Sequence, residues 1–334
     1  MLASILATAL LKMPSHPCFV GLTLNITAKG GIQELTDSVM EERRLGVDMM
    51  ASPFKWGDLE PSPGIFKLDK LRDDLRNQAN LGFTPVLTIQ TIDTDKRTTP
   101  TDLALEAWDS EKMLSRERAL LAAVGRVLPS KLDAVMLGNE VDGYLSNHLS
   151  QVDGYVRFLQ AGKTTLKTVR PDLEVGVVTM FTGLASHQQI VERIQRGMDL
   201  VAMTYYPLGL DFSVLPVGDV KSHFRQMVDF AGARKLYLQE VGYPASKLLN
   251  SSGAKQAAFV DAVFNELQQY GPRMYGACFF LLVDFSDQMV DALLGYYSLR
   301  AEKFKAMLGT LGFKDQFGVP RPAWATFKSR MATF

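Results

Sequence analysis

Eight short apolar runs, each followed by a longer amphipathic stretch, restrict this chain to a narrow set of folds. The runs are FVGLTLN (19–25), VDMMAS (47–52), FTPVLTIQT (83–91), LDAVMLGNE (132–140), LEVGVVTMF (173–181), MDLVAMTYY (198–206), KLYLQEVGY (235–243) and YGACFFLLVDF (275–285). Within them apolar residues are almost continuous, the pattern of strands covered on both faces. Between them the spacing predicts helices over about 32–45, 68–81, 110–127, 152–169, 188–196, 220–231 and 254–270, and a helical tail follows the eighth run. Parallel strands need crossovers, and helices supply them. Eight such repeats without a second composition regime predict an α/β protein with a single (β/α)8 TIM barrel over 19–334. A doubly wound open sheet is the competing arrangement. It would carry a glycine-rich phosphate loop after an early strand, and Gly30-Gly31 lacks the required spacing.

Composition removes several function classes. Hydrophobic residues make up 47% of the 334, enough for a sizeable core. Lys plus Arg (36) balance Asp plus Glu (36), with no basic stripe, so nucleic acid is not an expected partner. No apolar run reaches the ~18 residues of a membrane span, so no membrane partner is expected. The four histidines form neither HxH nor HExxH, and no Cys/His cluster has metal-ligand spacing, so neither metal nor cofactor is expected. Cys18 and Cys278 lie by the first and last strands, neighbours in a closed barrel, where they could bridge or stay free. Residues 1–18 read as an N-terminal segment. MLASILATALL (1–11) is apolar but has no basic residue before it, which fits a truncated signal peptide, and with it export, or a segment packed beneath the barrel.

Barrel chemistry sits at the carboxyl ends of the strands. Strand four ends in Gly138-Asn139-Glu140 and strand seven in Gln239-Glu240. Strand six ends in Tyr205-Tyr206-Pro207, and strand eight runs to Asp284. A charged group at the end of a buried strand costs free energy unless it is paired or functional. Two carboxylates on one barrel face suit acid/base and nucleophilic work on an acetal.

These residues resemble clan A glycoside hydrolases. FKWGDLEPSPGIFKLDKL (54–71) is similar to the clan's WxxxEPxxGxFxxxxLD signature, VMLGNEVDGY (135–144) to its fourth-strand Asn-Glu, and LYLQEVGYPAS (236–246) to its seventh-strand Glu. GVPRPAW (318–324) is similar to a closing G-x-P-K-P-A-W of several members, so the resemblance spans nearly the whole chain. MTYYPL (203–208) leans toward family 53, the endo-β-1,4-galactanases, and EVGYP (240–244) toward the family 17 glucanases.

The resemblance implies a retaining glycosidase acting on a β-linked oligo- or polysaccharide. Glu140 would be the general acid/base, Glu240 the nucleophile, and Asn139 a partner of the sugar 2-hydroxyl. Tyr206 would donate to Glu240, with Tyr205 as its substitute. Trp56 and Asp284 complete the candidate substrate-binding set; Trp56 could equally pack at the rim, and Asp284 could hold a loop. Glu60 reads as a loop-fixing residue, and Asp93 and Asp142 as loop carboxylates near the site. The chain departs from the clan where strand eight carries phenylalanines in place of a tryptophan and strand two lacks an arginine. A carbohydrate-binding barrel without catalysis is the alternative reading. The loops 93–107, 209–218 and 284–297 are expected to be open and to shape the cleft.

Overall fold

Each apolar run becomes a parallel strand in the computed structural model, which describes residues 16–334. The strands are β1 (Phe19–Leu22), β2 (Met49–Lys55), β3 (Thr84–Asp93), β4 (Ala134–Asn139), β5 in two pieces (Glu174–Gly176 and Val178–Met180), β6 (Val201–Tyr205), β7 (Leu236–Val241) and β8 (Met274–Phe279). The first piece of β5 pairs with β4 and the second with β6, while β1 pairs with β8. The sheet therefore closes on itself as a (β/α)8 barrel. The reading of the N-terminal apolar stretch 1–11 lies outside the described residues.

The outer helices are α1 (Ile32–Leu45), α2 (Asp69–Asn80), α3 (Glu111–Val127), α4 (Val152–Val169), α5 (Gln188–Gln195), α6 (Val220–Ala231), α7 (Gly253–Tyr270) and α8 (Pro322–Met331). Their apolar stripes meet the outward strand residues in two large clusters. Helix α3 begins where the sequence signals it: Ser110 caps it, its hydroxyl accepting from the Met113 amide at 3.2 Å. The inward residues of the strands, among them Met49, Val86, Met136, Ala202, Tyr237 and Cys278, fill the barrel interior. That plug closes the lower barrel and leaves chemistry to the strand ends above it.

The structure corrects three expectations. Several strands stop one to six residues before their apolar runs do, because the run continues into the loop that carries the site. The 284–297 stretch is not an open loop. It holds a helix, Asp287–Tyr296, capped by the Ser286 hydroxyl and followed by a second helix, Glu302–Leu308. Residues 93–107 are also partly ordered, with Lys96–Arg97 pairing antiparallel to the end of β3. Cys18 lies one residue before β1 and Cys278 on the neighbouring β8, and both are buried free thiols.

Candidate active site

Local backbone geometry aims the two glutamates. On β4, Gly138 has φ +98°, a conformation that L side chains rarely adopt, and a Cβ there would collide with Val141 and the Tyr155 hydroxyl. This break in strand alternation turns Asn139 and Glu140 into the mouth. Glu140 itself sits at φ +47°, ahead of the short helix Val141–Ser146. Holding a non-glycine residue there costs about 1–3 kcal/mol, and such strain concentrates at functional positions. On β7 the device is a bulge. Met203 of β6 faces Leu238 and the next residue, Thr204, faces Glu240, so Gln239 is the extra residue. A bulge re-aims side chains, and here the consecutive Gln239 and Glu240 both reach the interior.

A hydrogen-bond network crosses the barrel between these strands. Gln239 Nε2 donates to Asn139 Oδ1 at 2.7 Å, and Thr88 Oγ1 donates to Gln239 Oε1 at 2.5 Å. Asn139 Nδ2 donates to Asp93 Oδ1 at 3.2 Å, which leaves its second N–H for another acceptor. The residues next to the two glutamates are thus bonded to each other directly. Glu140 accepts from Thr94 at 2.7 Å and from Thr204 at 2.6 Å, one hydroxyl on each carboxylate oxygen. Glu240 Oε2 accepts from the Tyr206 hydroxyl at 2.6 Å.

The two carboxyls titrate as a pair. Burial, the repulsion from Glu140 and, to a lesser extent, Asp93 push Glu240 up to about 8, while the Tyr206 hydroxyl holds it down. Burial also raises Glu140, against the pull of its two threonine hydroxyls. Both carboxyls are therefore held above the ordinary carboxylate range, and the pair retains a proton to higher pH than a free glutamate would. With two hydroxyl donors on Glu140 and one on Glu240, that proton favours Glu240 in the free site.

The remaining sequence candidates divide. Asn139 lies in the mouth, 7% exposed. Tyr206 lies beside Glu240, edge-on to Phe280 with ring centroids 6.2 Å apart. Tyr205 does not share the site: alternation turns it outward, where its hydroxyl meets His223 Nδ1 at 3.0 Å among α6 and α7 side chains. Trp56 is fully buried, stacked on Phe158, and donates Nε1–H to Glu60 at 2.8 Å, so it offers no face to a sugar. Asp284 is 2% exposed, accepting from the Gly312 amide at 2.6 Å and paired with Arg321. It anchors the chain between β8 and α8 and does not face the cleft. Glu60 fixes its loop as read, accepting also from Gly64 N at 2.7 Å and Arg116 Nε at 2.6 Å. Asp142 is buried and holds the Met180 amide and His187, both at 2.9 Å.

Trp56→Phe is accordingly expected to lower stability by about 1–3 kcal/mol, the cost of leaving a buried charged acceptor short of a donor, with KM unchanged. Urea unfolding and steady-state kinetics check this; a raised KM at full stability would put Trp56 at the substrate.

Sequence reasoning missed several mouth residues. Thr94 and Thr204 carry no motif, and their roles follow only from pairing distance in space. Gln239 is hidden by the bulge. Tyr296 and Tyr297 lie in the stretch read as a loop. Phe280 was noted only as a substitute for tryptophan, yet it is the aromatic just past the end of β8 that lies beside Tyr206.

No family model matches the sequence, and no curated protein matches it. Solved structures do. GH5_18 from Bifidobacterium longum subsp. infantis has a TM-score of 0.71 at 14% identity, covering 95% of this chain and 79% of that one. A GH5_18 variant from Streptomyces cattleya in complex with Manb1-4GlcNAc has a TM-score of 0.73 at 12% identity, covering 94% and 80%. The exo-beta-1,4-mannosidase Op5Man5 from Opitutaceae bacterium strain TAV5 has a TM-score of 0.72 at 17% identity, covering 95% and 59%. The first two carry a subfamily 5_18 designation, so the family 53 and family 17 flavour of the motifs is not reproduced in them. The likeness runs the length of the chain and establishes its fold as the (β/α)8 barrel of these proteins.

Proposed function

We propose that the protein is a retaining β-glycosidase with Glu240 as nucleophile and Glu140 as general acid/base. The observation that carries this reading is the pair of half-buried glutamates at the ends of β4 and β7, whose neighbours Asn139 and Gln239 are hydrogen-bonded to each other at 2.7 Å. In the first step Glu240 attacks the anomeric carbon while Glu140 protonates the leaving oxygen. In the second, Glu140 takes a proton from water, which displaces the carboxylate from the sugar. Asn139 offers its free N–H to the sugar 2-hydroxyl.

The proton must stand on Glu140 when substrate is bound. The electron-poor anomeric centre next to Glu240 stabilises its charge, and the leaving oxygen accepts a hydrogen bond from protonated Glu140. Substrate therefore reverses the distribution of the free site. Once Glu240 is esterified its charge is gone, the repulsion on Glu140 ends, and Glu140 becomes the stronger acid that a general base in the second step requires.

The active form carries one proton on the pair, so kcat/KM should fall as pH rises through about 8. Tyr206→Phe removes a hydrogen bond that lowers the Glu240 pKa, so the basic limb should move upward. The same change should cut kcat by about 10- to 100-fold, the worth of a hydrogen bond to a charged group. A pH profile that stays fixed in Tyr206→Phe would remove Tyr206 from this role.

The barrel's likeness to an exo-beta-1,4-mannosidase and to a Manb1-4GlcNAc complex makes β-mannosides the first substrates to assay. Release of sugar from aryl β-mannosides, β-glucosides or β-galactosides tests the reading; no hydrolysis across a full β-glycoside panel would overturn it.

A further inference from the structure

The short helix Val141–Ser146, which starts directly after Glu140, is held by the same strand ends that hold the Glu140 carboxyl. On the β3 side, Gly143 lies against Thr94: a Cβ there would stand 2.7 Å from the Thr94 carbonyl oxygen. The Thr94 amide donates to the Asn139 carbonyl at 2.9 Å, and its hydroxyl donates to Glu140 Oε2 at 2.7 Å. Thr94 sits at φ +56° and Glu140 at +47°, so two residues in left-handed backbone are joined by one hydrogen bond. On the β5 side, Asp142 Oδ1 accepts from the Met180 amide at 2.9 Å. Met180 is the ladder partner of Thr204, whose hydroxyl donates to Glu140 Oε1 at 2.6 Å. Both hydroxyls on Glu140 thus belong to strand ends that the following helix touches directly or through one ladder neighbour.

Asp142 makes the tie on the β5 side with a side chain that is 0% exposed. A carboxylate at that depth costs free energy unless both oxygens are satisfied. Its second oxygen, Oδ2, meets His187 Nε2 at 2.9 Å, and Ser186 Oγ lies 2.9 Å from His187 Nδ1. A carboxylate can only accept, so Nε2 donates in this bond. The serine hydroxyl can accept or donate at Nδ1, so it suits imidazole and imidazolium alike. Gly183 makes room for the pair, since a Cβ there would collide with Asp142 Oδ2. The charge of Asp142 is felt at the acid/base. Burial is the main cause that raises Glu140, the hydroxyls of Thr204 and Thr94 oppose it, and Asp142 adds to it ahead of Asp93. The other titratable groups coupled to Glu140 are Glu240, Tyr206 and Tyr297.

We propose that Asp142 and His187 are positioning residues for the acid/base: they fix the helix after Glu140 to the end of β5 and keep one negative charge beside it. That charge helps Glu140 hold its proton until the leaving oxygen takes it. His187 acts through Asp142, by donating to a buried oxygen that otherwise has no partner. The inference rests on the glycosidase reading above.

Asp142→Asn tests it. The amide oxygen can still accept from Met180, and His187 can accept from the new N–H in its other tautomer, so the variant removes the charge and keeps the contacts. The basic limb of kcat/KM should move down by about one pH unit, the effect of removing a like charge. It is the opposite of the shift expected for Tyr206→Phe. Near neutral pH, alkyl glycosides should slow by about 3- to 10-fold, while dinitrophenyl glycosides, which need no acid, should change by less than about twofold. A fixed limb, with equal losses on both substrate classes, would make Asp142 a structural residue only and overturn the inference.

A second pair of variants keeps the test open if Asp142→Asn fails to fold. His187→Leu removes the donor, drives Asp142 to take up a proton and should lower the limb in the same way. His187→Gln restores an N–H and should retain the wild-type limb. The same limb in both would overturn the part given to His187. Carbon-13 NMR of labelled glutamate carboxyls reads the effect without turnover, with the Glu140 signal assigned by its loss in Glu140→Gln. In an inactive Glu240→Gln background, Asp142→Asn should lower the Glu140 titration; no movement would overturn the inference with the glycosidase reading intact. A wild-type protein that cleaves no aryl β-glycoside would overturn that reading and this role with it.

Discussion

Glu240→Gln will abolish turnover on every substrate, activated aryl glycosides included. An amide cannot attack the anomeric carbon, so the loss should be about 10⁴-fold or more, equivalent to ~5 kcal/mol or more of transition-state stabilisation. The fold should survive, because the amide oxygen still accepts from Tyr206. Stability should respond in a diagnostic way. Glu240 has a folded-state pKa of about 8, above its unfolded value, so the folded state holds that proton more tightly. Its contribution to stability is then lost as pH rises from the unfolded pKa through about 8. The glutamine variant lacks that titration and should lose less stability over the same interval. Urea unfolding at several pH values measures this; an unchanged pH slope would mean that Glu240 is not held protonated in the free site.

Glu140→Gln will separate the two steps. Without the acid, substrates with poor leaving groups should slow by about 10³-fold, within the range of general acid catalysis. Dinitrophenyl glycosides need no protonation, so their first step should change little and product should appear as a burst followed by slow turnover. Azide needs no general base and should restore turnover, giving a glycosyl azide of retained configuration. Thr94 and Thr204 can rotate their hydroxyls to suit the amide, so misfolding should not obscure the result. Equal losses on alkyl and dinitrophenyl substrates would mean that Glu140 is not the acid.

The barrel was legible because covered strands and amphipathic helices leave different periods in a sequence. Helices α4 and α6 fall where the spacing puts them, at Val152–Val169 and Val220–Ala231. Strand ends were less legible, since the runs at 198–206 and 275–285 stay apolar after the ladder ends. The helix Asp287–Tyr296 was readable in principle: Ser286 is an N-cap, and Met289, Val290, Leu293 and Leu294 keep helical spacing, but reading strand eight through 285 concealed its start. Trp56 and Asp284 show a different limit. Both follow strand ends, where exposure is expected, yet Trp56 stacks on Phe158 and Asp284 pairs with Arg321, and nothing local in the sequence announces these distant partners. Tyr205 and Tyr206 are equally tyrosine, and alternation alone decides which meets Glu240. The bulge at Gln239 reverses that same alternation on β7, and no residue type marks it.

A covalent intermediate on Glu240 is the core of the account, and mass spectrometry reads it directly. The 2-deoxy-2-fluoro derivative of whichever aryl β-glycoside the enzyme cleaves should inactivate it by slowing the second step more than the first. The intact protein should then gain the mass of one fluorosugar, and peptide mapping should place it on Glu240. A label on another residue, or hydrolysis of the parent glycoside with inversion at the anomeric carbon, would contradict the assignment.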